Sequence, residues 1–234
     1  MFLSIKKQIP NLFTLGNLTC GVFAILLATK YQFENAAYLI LFAAILDFFD
    51  GFLARLLKVS GEMGKQLDSL ADCVTFGVAP SIMLLYFALG NQILEASSYW
   101  AFILLAIFSA YRLAKFNIDT RQSESFIGVP TPITGIMVAS WAFIQTSHSK
   151  IFDFVFSNPI SYIIFCVIIS LLLVSEIPLV SLKFKKGKQL KDYSVQLIIA
   201  AIGVISILFF QWLAVPIIYL VYVLSSVFVN FAKK

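Results

Sequence analysis

Apolar residues run along this chain in eight long stretches, near 11–29, 36–56, 66–89, 98–116, 131–148, 158–181, 194–211 and 214–231, separated by short polar clusters. About 20 apolar residues suffice to cross the hydrocarbon core of a bilayer as a helix. The pattern therefore predicts an all-α integral membrane protein, a polytopic bundle of about eight transmembrane helices. The breaks carry turn chemistry, in VSGEMG at 59–64, NIDTRQSES at 117–125 and GVPTP at 128–132. The last two stretches are almost contiguous, which predicts a tight hairpin around Gln211 and Pro216. The opening MFLSIKKQI has the make-up of a short amphipathic helix on the membrane surface. With no repeat, low-complexity tract or linker to divide it, the chain is expected to be one domain over residues 1–234, residues 194–231 being an extra helical hairpin.

Composition supports the same class. Hydrophobic residues make up 60% of the chain and charged residues 12%, whereas a soluble domain holds roughly 45–50% apolar residues. Every Lys and Arg except Lys30 and Lys150 falls on one side if the N-terminus is placed inside. Because basic residues accumulate in cytoplasmic loops, both termini are expected in the cytoplasm. The first apolar run, flanked by Lys6 and Lys7, reads as a membrane helix rather than a cleaved signal. Cys20, Cys73 and Cys166 are odd in number and set among apolar residues, which is neither a disulfide nor a zinc pattern. The net charge of +5, with KFKKGKQLK at 183–191, suits anionic lipid headgroups better than nucleic acid.

Four aspartates interrupt the second and third stretches: Asp47 and Asp50, then Asp68 and Asp72. Each costs about 2.5–3.5 kcal/mol at the centre of a membrane helix, a penalty that marks a working site. At about 100° per residue, Asp47, Asp50 and Ala54 project within roughly 60° of one another, and Gly64, Asp68 and Asp72 within roughly 80°. Helices joined by a short turn are antiparallel neighbours, so the two acidic faces can meet. Four carboxylates in a groove of low dielectric need counter-charge, and an all-oxygen set suits Mg²⁺, Mn²⁺ or Ca²⁺ rather than zinc. Two such ions form the clamp used in phosphoryl chemistry. Gly51, Ala54 and Gly64 leave room for a nucleotide or phosphate beside the acids, or allow close helix packing.

Residues 47–72 read D-F-F-D-G-F-L-A-R, eight residues, then G-K-Q-L-D-S-L-A-D. This resembles the signature of the CDP-alcohol phosphatidyltransferase family, D-x2-D-G-x2-A-R-x8-G-x3-D-x3-D, at all eight positions. The resemblance implies a helical membrane bundle, two divalent cations (Mg²⁺ or Mn²⁺) and transfer of a phosphatidyl group from a CDP-linked lipid to an alcohol with release of CMP. By position it implies Asp47, Asp50, Asp68 and Asp72 as metal ligands, with Asp72 also the general base. It implies Gly51, Ala54, Arg55 and Gly64 around the CDP-lipid. IPNLFTLGNLTCG near the start is similar to the family's N-terminal elements, which brings Asn11 and Thr14 to the nucleotide. A homodimer is a further implication.

The runs DSLADCVTFGVAPS, YRLAKFNID, FIGVPTP and IPLVSLKFKK resemble the type II phosphatidylserine synthases within that family. This implies CDP-diacylglycerol and L-serine as substrates, a location in the cell (inner) membrane and an active site facing the cytoplasm. A zwitterionic acceptor needs cations and hydrogen-bonding groups, for which Arg112, Lys115, Asn117 and Lys183 are placed at cytoplasmic helix ends. The alternatives are another acceptor (glycerol phosphate, inositol phosphate or choline) or, from a different class, a divalent-cation transporter. A transporter is expected to spread its acids over related repeats, and these sit in two adjacent stretches. His148 falls near the outer face, away from the chemistry.

Overall fold

The computed structural model describes residues 2–59, 61–90, 100–119, 127–180 and 194–232. Ten α-helices follow one another through these residues: α1 (Phe2–Ala28), α2 (Phe33–Leu56), α3 (Glu62–Asp72), α4 (Ala79–Gly90), α5 (Ile103–Ile118), α6 (Thr131–Ser147), α7 (Ser149–Phe156), α8 (Pro159–Val174), α9 (Ser194–Phe210) and α10 (Ala214–Ala232). A π-helical segment, Cys73–Val78, joins α3 to α4. The described residues form no strand; a single isolated bridge pairs Ile127 with Pro178.

Each of the eight predicted stretches contains helix among the described residues. Where about eight spans were expected, five helical segments of the described residues are long and apolar enough to cross a membrane: Gln8–Ala28, Phe33–Leu56, Glu62–Gly90, Trp100–Ile118 and Val195–Phe231, the last taking in both final stretches. Ser149–Phe156 with Pro159–Val174, bent by 88°, would make a sixth. Two boundaries differ from the sequence reading. The stretch expected over 158–181 ends at Val174, where Ser175 turns extended ahead of Pro178. The N-terminal residues do not form a separate surface helix but run continuously into α1.

The expected hairpin is present. Gly203 faces Ile218 across it, Ile199 and Tyr222 share a small apolar cluster, and the reversal occurs at Gln211–Leu213, with Gln211 at φ 48°. Pro216 lies inside α10 rather than in the turn.

Small residues set the packing. On α1, Pro10, Thr14, Asn17, Gly21, Ala24 and Ala28 form a buried stripe, spaced alternately four and three residues apart as one helix face requires. Ala36, Ala37, Ile40, Ala43 and Asp50 form the matching stripe on α2. α6 is the most enclosed helix, with every residue from Met137 to Ile144 buried. Its Gly135 lies against the backbone of Phe76, where a Cβ would come within 2.8 Å. Outward faces carry large apolar side chains such as Phe42, Phe48, Leu208 and Phe228, as a lipid surround demands.

The ends of α1 and α2 fix the approach to the site. After α2, Lys58 adopts φ 54°, its N–H bonds to Arg55 O, and Val59 N–H bonds back to Ala54 O. This is a Schellman turn with lysine where glycine is usual. It reverses the chain within a few residues, so that α3 returns beside α1 and α2 with its acids turned inward.

Candidate active site

Three helices bring the polar groups together. α2 carries Asp47 and Asp50 at the end of its alanine stripe, α3 carries Asp68 and Asp72, and α1 supplies Thr14 and Asn17 between them. Asp47, Asp50 and Asp68 each offer a carboxylate oxygen, all within 4.8 Å of one another. Asp47 also lies at hydrogen-bonding reach of Asp68 and Asp72. Thr14 Oγ1 donates to Asp50 Oδ2 at 2.6 Å, and Asn17 Nδ2 donates to Asp72 Oδ1 at 3.1 Å. Asp50 and Asp72 are each only 6% exposed.

Above the acids opens a cavity of about 600 Å³. Asp47, Asp50 and Asp68 line it together with every residue the sequence assigned to the CDP-lipid: Asn11, Thr14, Gly51, Ala54, Arg55 and Gly64. Gly51 and Gly64 leave its walls open; a Cβ on Gly64 would stand 3.5 Å from Asn11 Oδ1, and one on Gly51 would meet only Arg55, at 3.9 Å. Asp72 is set back from this wall, beside Asn17. Three convergent carboxylates with no nitrogen or sulfur among them fit a hard divalent cation.

A family model described as CDP-alcohol phosphatidyltransferase matches residues 7–227. The chain belongs to the CDP-alcohol phosphatidyltransferase family. That family is divalent-cation dependent, and the aspartate cluster could hold such an ion. Among curated relatives, a CDP-diacylglycerol–serine O-phosphatidyltransferase from Helicobacter pylori (strain ATCC 700392 / 26695) is 37% identical over 180 residues, covering 72% of this chain and 70% of the relative. The protein of the same name from Bacillus subtilis (strain 168) is 39% identical over 141 residues, 58% of this chain and 76% of the relative. An archaetidylserine synthase from Methanothermobacter thermautotrophicus is 31% identical over 136 residues, 57% of each chain.

This phosphatidyltransferase family member holds its remaining predicted residues differently from one another. Arg112 is 6% exposed. Its Nη1 donates to Thr131 Oγ1 at 3.3 Å, its guanidinium stands 5.8 Å over the Phe116 ring, and its Nε is buried without a partner. Asp72 is the carboxylate whose charge reaches it. Lys115 instead pairs with Glu176 at 3.1 Å, and Asn117 donates to Ser69 at 2.9 Å. Both therefore tie α5 to neighbouring elements in this structure. Lys183 lies outside the described residues. His148 caps the far end of α6 from Thr131 and contacts Ser147.

Sequence reasoning missed two residues. Lys65 lines the cavity and donates to Asn117 O at 2.7 Å, latching α3 to the end of α5. Asn17 was legible in principle, because it follows Thr14 by three residues on the same helical face.

Proposed function

We propose that this family member is a phosphatidylserine synthase, transferring the phosphatidyl group of CDP-diacylglycerol to the hydroxyl of L-serine with release of CMP. The observation that carries the reading is the union, in one cavity, of three metal-competent carboxylates with the small residues that admit a nucleotide. The names of the Helicobacter and Bacillus relatives supply the acceptor.

Asp47, Asp50 and Asp68 would hold the divalent cations, Mg²⁺ or Mn²⁺, with Asp72 completing the set. When bound, these ions neutralise the pyrophosphate oxygens and the departing CMP. Thr14 keeps Asp50 oriented. Asn11, Gly51, Ala54, Arg55 and Gly64 receive the CDP moiety, whose acyl chains remain in the leaflet. Asp72 takes the proton from the serine hydroxyl; the serine oxygen then bonds to the lipid-side phosphorus as the bond to the CMP oxygen breaks, and CMP leaves with that electron pair. Arg112, which lines a small separate cavity with Lys115 rather than the nucleotide cavity, is assigned the serine carboxylate for its planar, always-charged guanidinium.

The distribution of Lys and Arg supports a site that opens to the cytoplasm, where serine and CMP are soluble, and the bacterial relatives support an inner-membrane location. A homodimer follows from the family resemblance.

The test is CMP release by purified protein in detergent with CDP-diacylglycerol and Mn²⁺ or Mg²⁺. L-Serine, glycerol 3-phosphate, inositol phosphate and no acceptor are compared, alongside Asp72→Asn. Serine-dependent release that disappears in Asp72→Asn is expected. Release with a different acceptor would overturn the serine assignment.

A further inference from the structure

Asn17 stands one turn beyond Thr14 on the buried face of α1 and is fully enclosed, at 0% exposure. It is bonded twice to the polypeptide that carries Asp72. Its side-chain Nδ2 donates to Asp72 Oδ1 at 3.1 Å. Its backbone carbonyl accepts from Thr75 Oγ1 at 3.0 Å, and Thr75 belongs to the π segment that begins immediately after Asp72. The Thr75 side chain in turn fills the space over Gly21, where no Cβ fits.

The other half of the amide is less well served. Asn17 Oδ1 is buried with no partner, and an orphan of that kind costs about 1–3 kcal/mol. A leucine would fill a similar volume with no such penalty, so packing alone does not account for an amide at this position. A donor aimed at Asp72 does. The terminal torsion of an aspartate is broad and roughly two-fold, so an unheld carboxylate samples many orientations.

We propose that Asn17 is a positioning residue for the transfer step, holding Asp72 by one carboxylate oxygen so that the second is presented to the acceptor hydroxyl. The proposal rests on the reading of Asp72 as the general base. Asn17 touches neither the nucleotide cavity nor the three clustered metal-competent acids among its recorded hydrogen bonds. Its loss should slow turnover while leaving the CDP-lipid bound as before.

Two variants of the full chain, Asn17→Leu and Asn17→Asp, test this in purified form. Asn17→Leu removes the donor without adding charge, whereas Asn17→Asp sets a second carboxyl against Asp72, which either repels it or shares a proton with it and weakens it as a base. CMP release is measured over a range of L-serine and CDP-diacylglycerol concentrations, and CDP-diacylglycerol binding is read independently as a shift in thermal unfolding. Expected is a fall in kcat of about 10²-fold in both variants, the scale of a misplaced catalytic group. KM for CDP-diacylglycerol should stay within about threefold of wild type, with the thermal shift retained. A wild-type rate in Asn17→Leu, or a loss of CDP-diacylglycerol binding in step with the loss of rate, would overturn the positioning role. Wild-type protein is run in parallel with the other alcohols: release with one of them overturns the serine assignment, and Asn17 is then judged by the same kcat and KM split with that alcohol.

Discussion

Thr14 and Asp50 are 36 residues apart in sequence and 2.6 Å apart in the fold, the hydroxyl of one donating to the carboxylate of the other with both buried. Thr14 also reaches back to Pro10 O at 3.2 Å. α1 therefore does more than line the nucleotide cavity; it sets the angle at which an acid of α2 faces the cluster.

Thr14→Val preserves shape and removes the donor. The Mn²⁺ or Mg²⁺ concentration for half-maximal CMP release should rise about 10- to 100-fold, as for other residues that support a metal ligand. Thr14→Ser, which keeps the hydroxyl, should stay near wild type. An unchanged metal titration in Thr14→Val would show that Asp50 needs no such support.

Chelation should abolish CMP release and added Mg²⁺ or Mn²⁺ should restore it. Asp47→Asn, Asp50→Asn and Asp68→Asn should each lose that recovery at ordinary metal concentrations, since each removes a charged oxygen from a site with three clustered within 4.8 Å. Recovery in all three variants would exclude this cluster as the metal site.

Arg112 and Lys115 are one helical turn apart and should respond very differently. Arg112→Lys loses the planar donor set and should raise KM for L-serine about tenfold with little effect on CDP-diacylglycerol. Lys115→Met breaks only an ion pair whose Glu176 side chain is 69% exposed, so stability should change by no more than about 1 kcal/mol. Serine titrations and thermal unfolding in detergent separate the two.

Gly21 of α1 lies against Thr75 of the π segment. A Cβ there would stand 2.8 Å from Thr75 Cα, and overpacking of this kind costs about 1–3 kcal/mol. Gly21→Ala should therefore lower the unfolding temperature. It should also reduce turnover more than Gly203→Ala, where the added methyl meets Ile218 at an ordinary 3.6 Å.

The acids were readable from sequence because charge in an apolar stretch is costly, and because 3.6-residue periodicity shows which of them share a face. The helical segments were readable for the same reason. Asn117 and Lys115 were not, since their partners Ser69 and Glu176 lie 48 and 61 residues away; only the packed bundle shows that their donors are engaged. The end of α8 at Val174 was marked by Ser175, Glu176 and Pro178, but the apolar Ile177, Leu179 and Val180 beyond them made the stretch look longer. Asn17 sat within a recognised string, yet a polar residue on a stripe of small ones looks like ordinary packing until Asp72 is seen beside it.

The π segment at Cys73–Val78 places one surplus residue between the acidic and the membrane-buried halves of a single span, a feature frequent at functional sites. The two halves are thereby out of phase by about 100°, one residue's rotation. Asp68 and Asp72 can face α1 and α2 while Met83, Leu84 and Phe87 on α4 face the core. Substitutions that refit α4 to a different lipid environment thus need not rotate the acids, whereas deletion of one residue within the segment would swing both carboxylates away from their partners at a stroke.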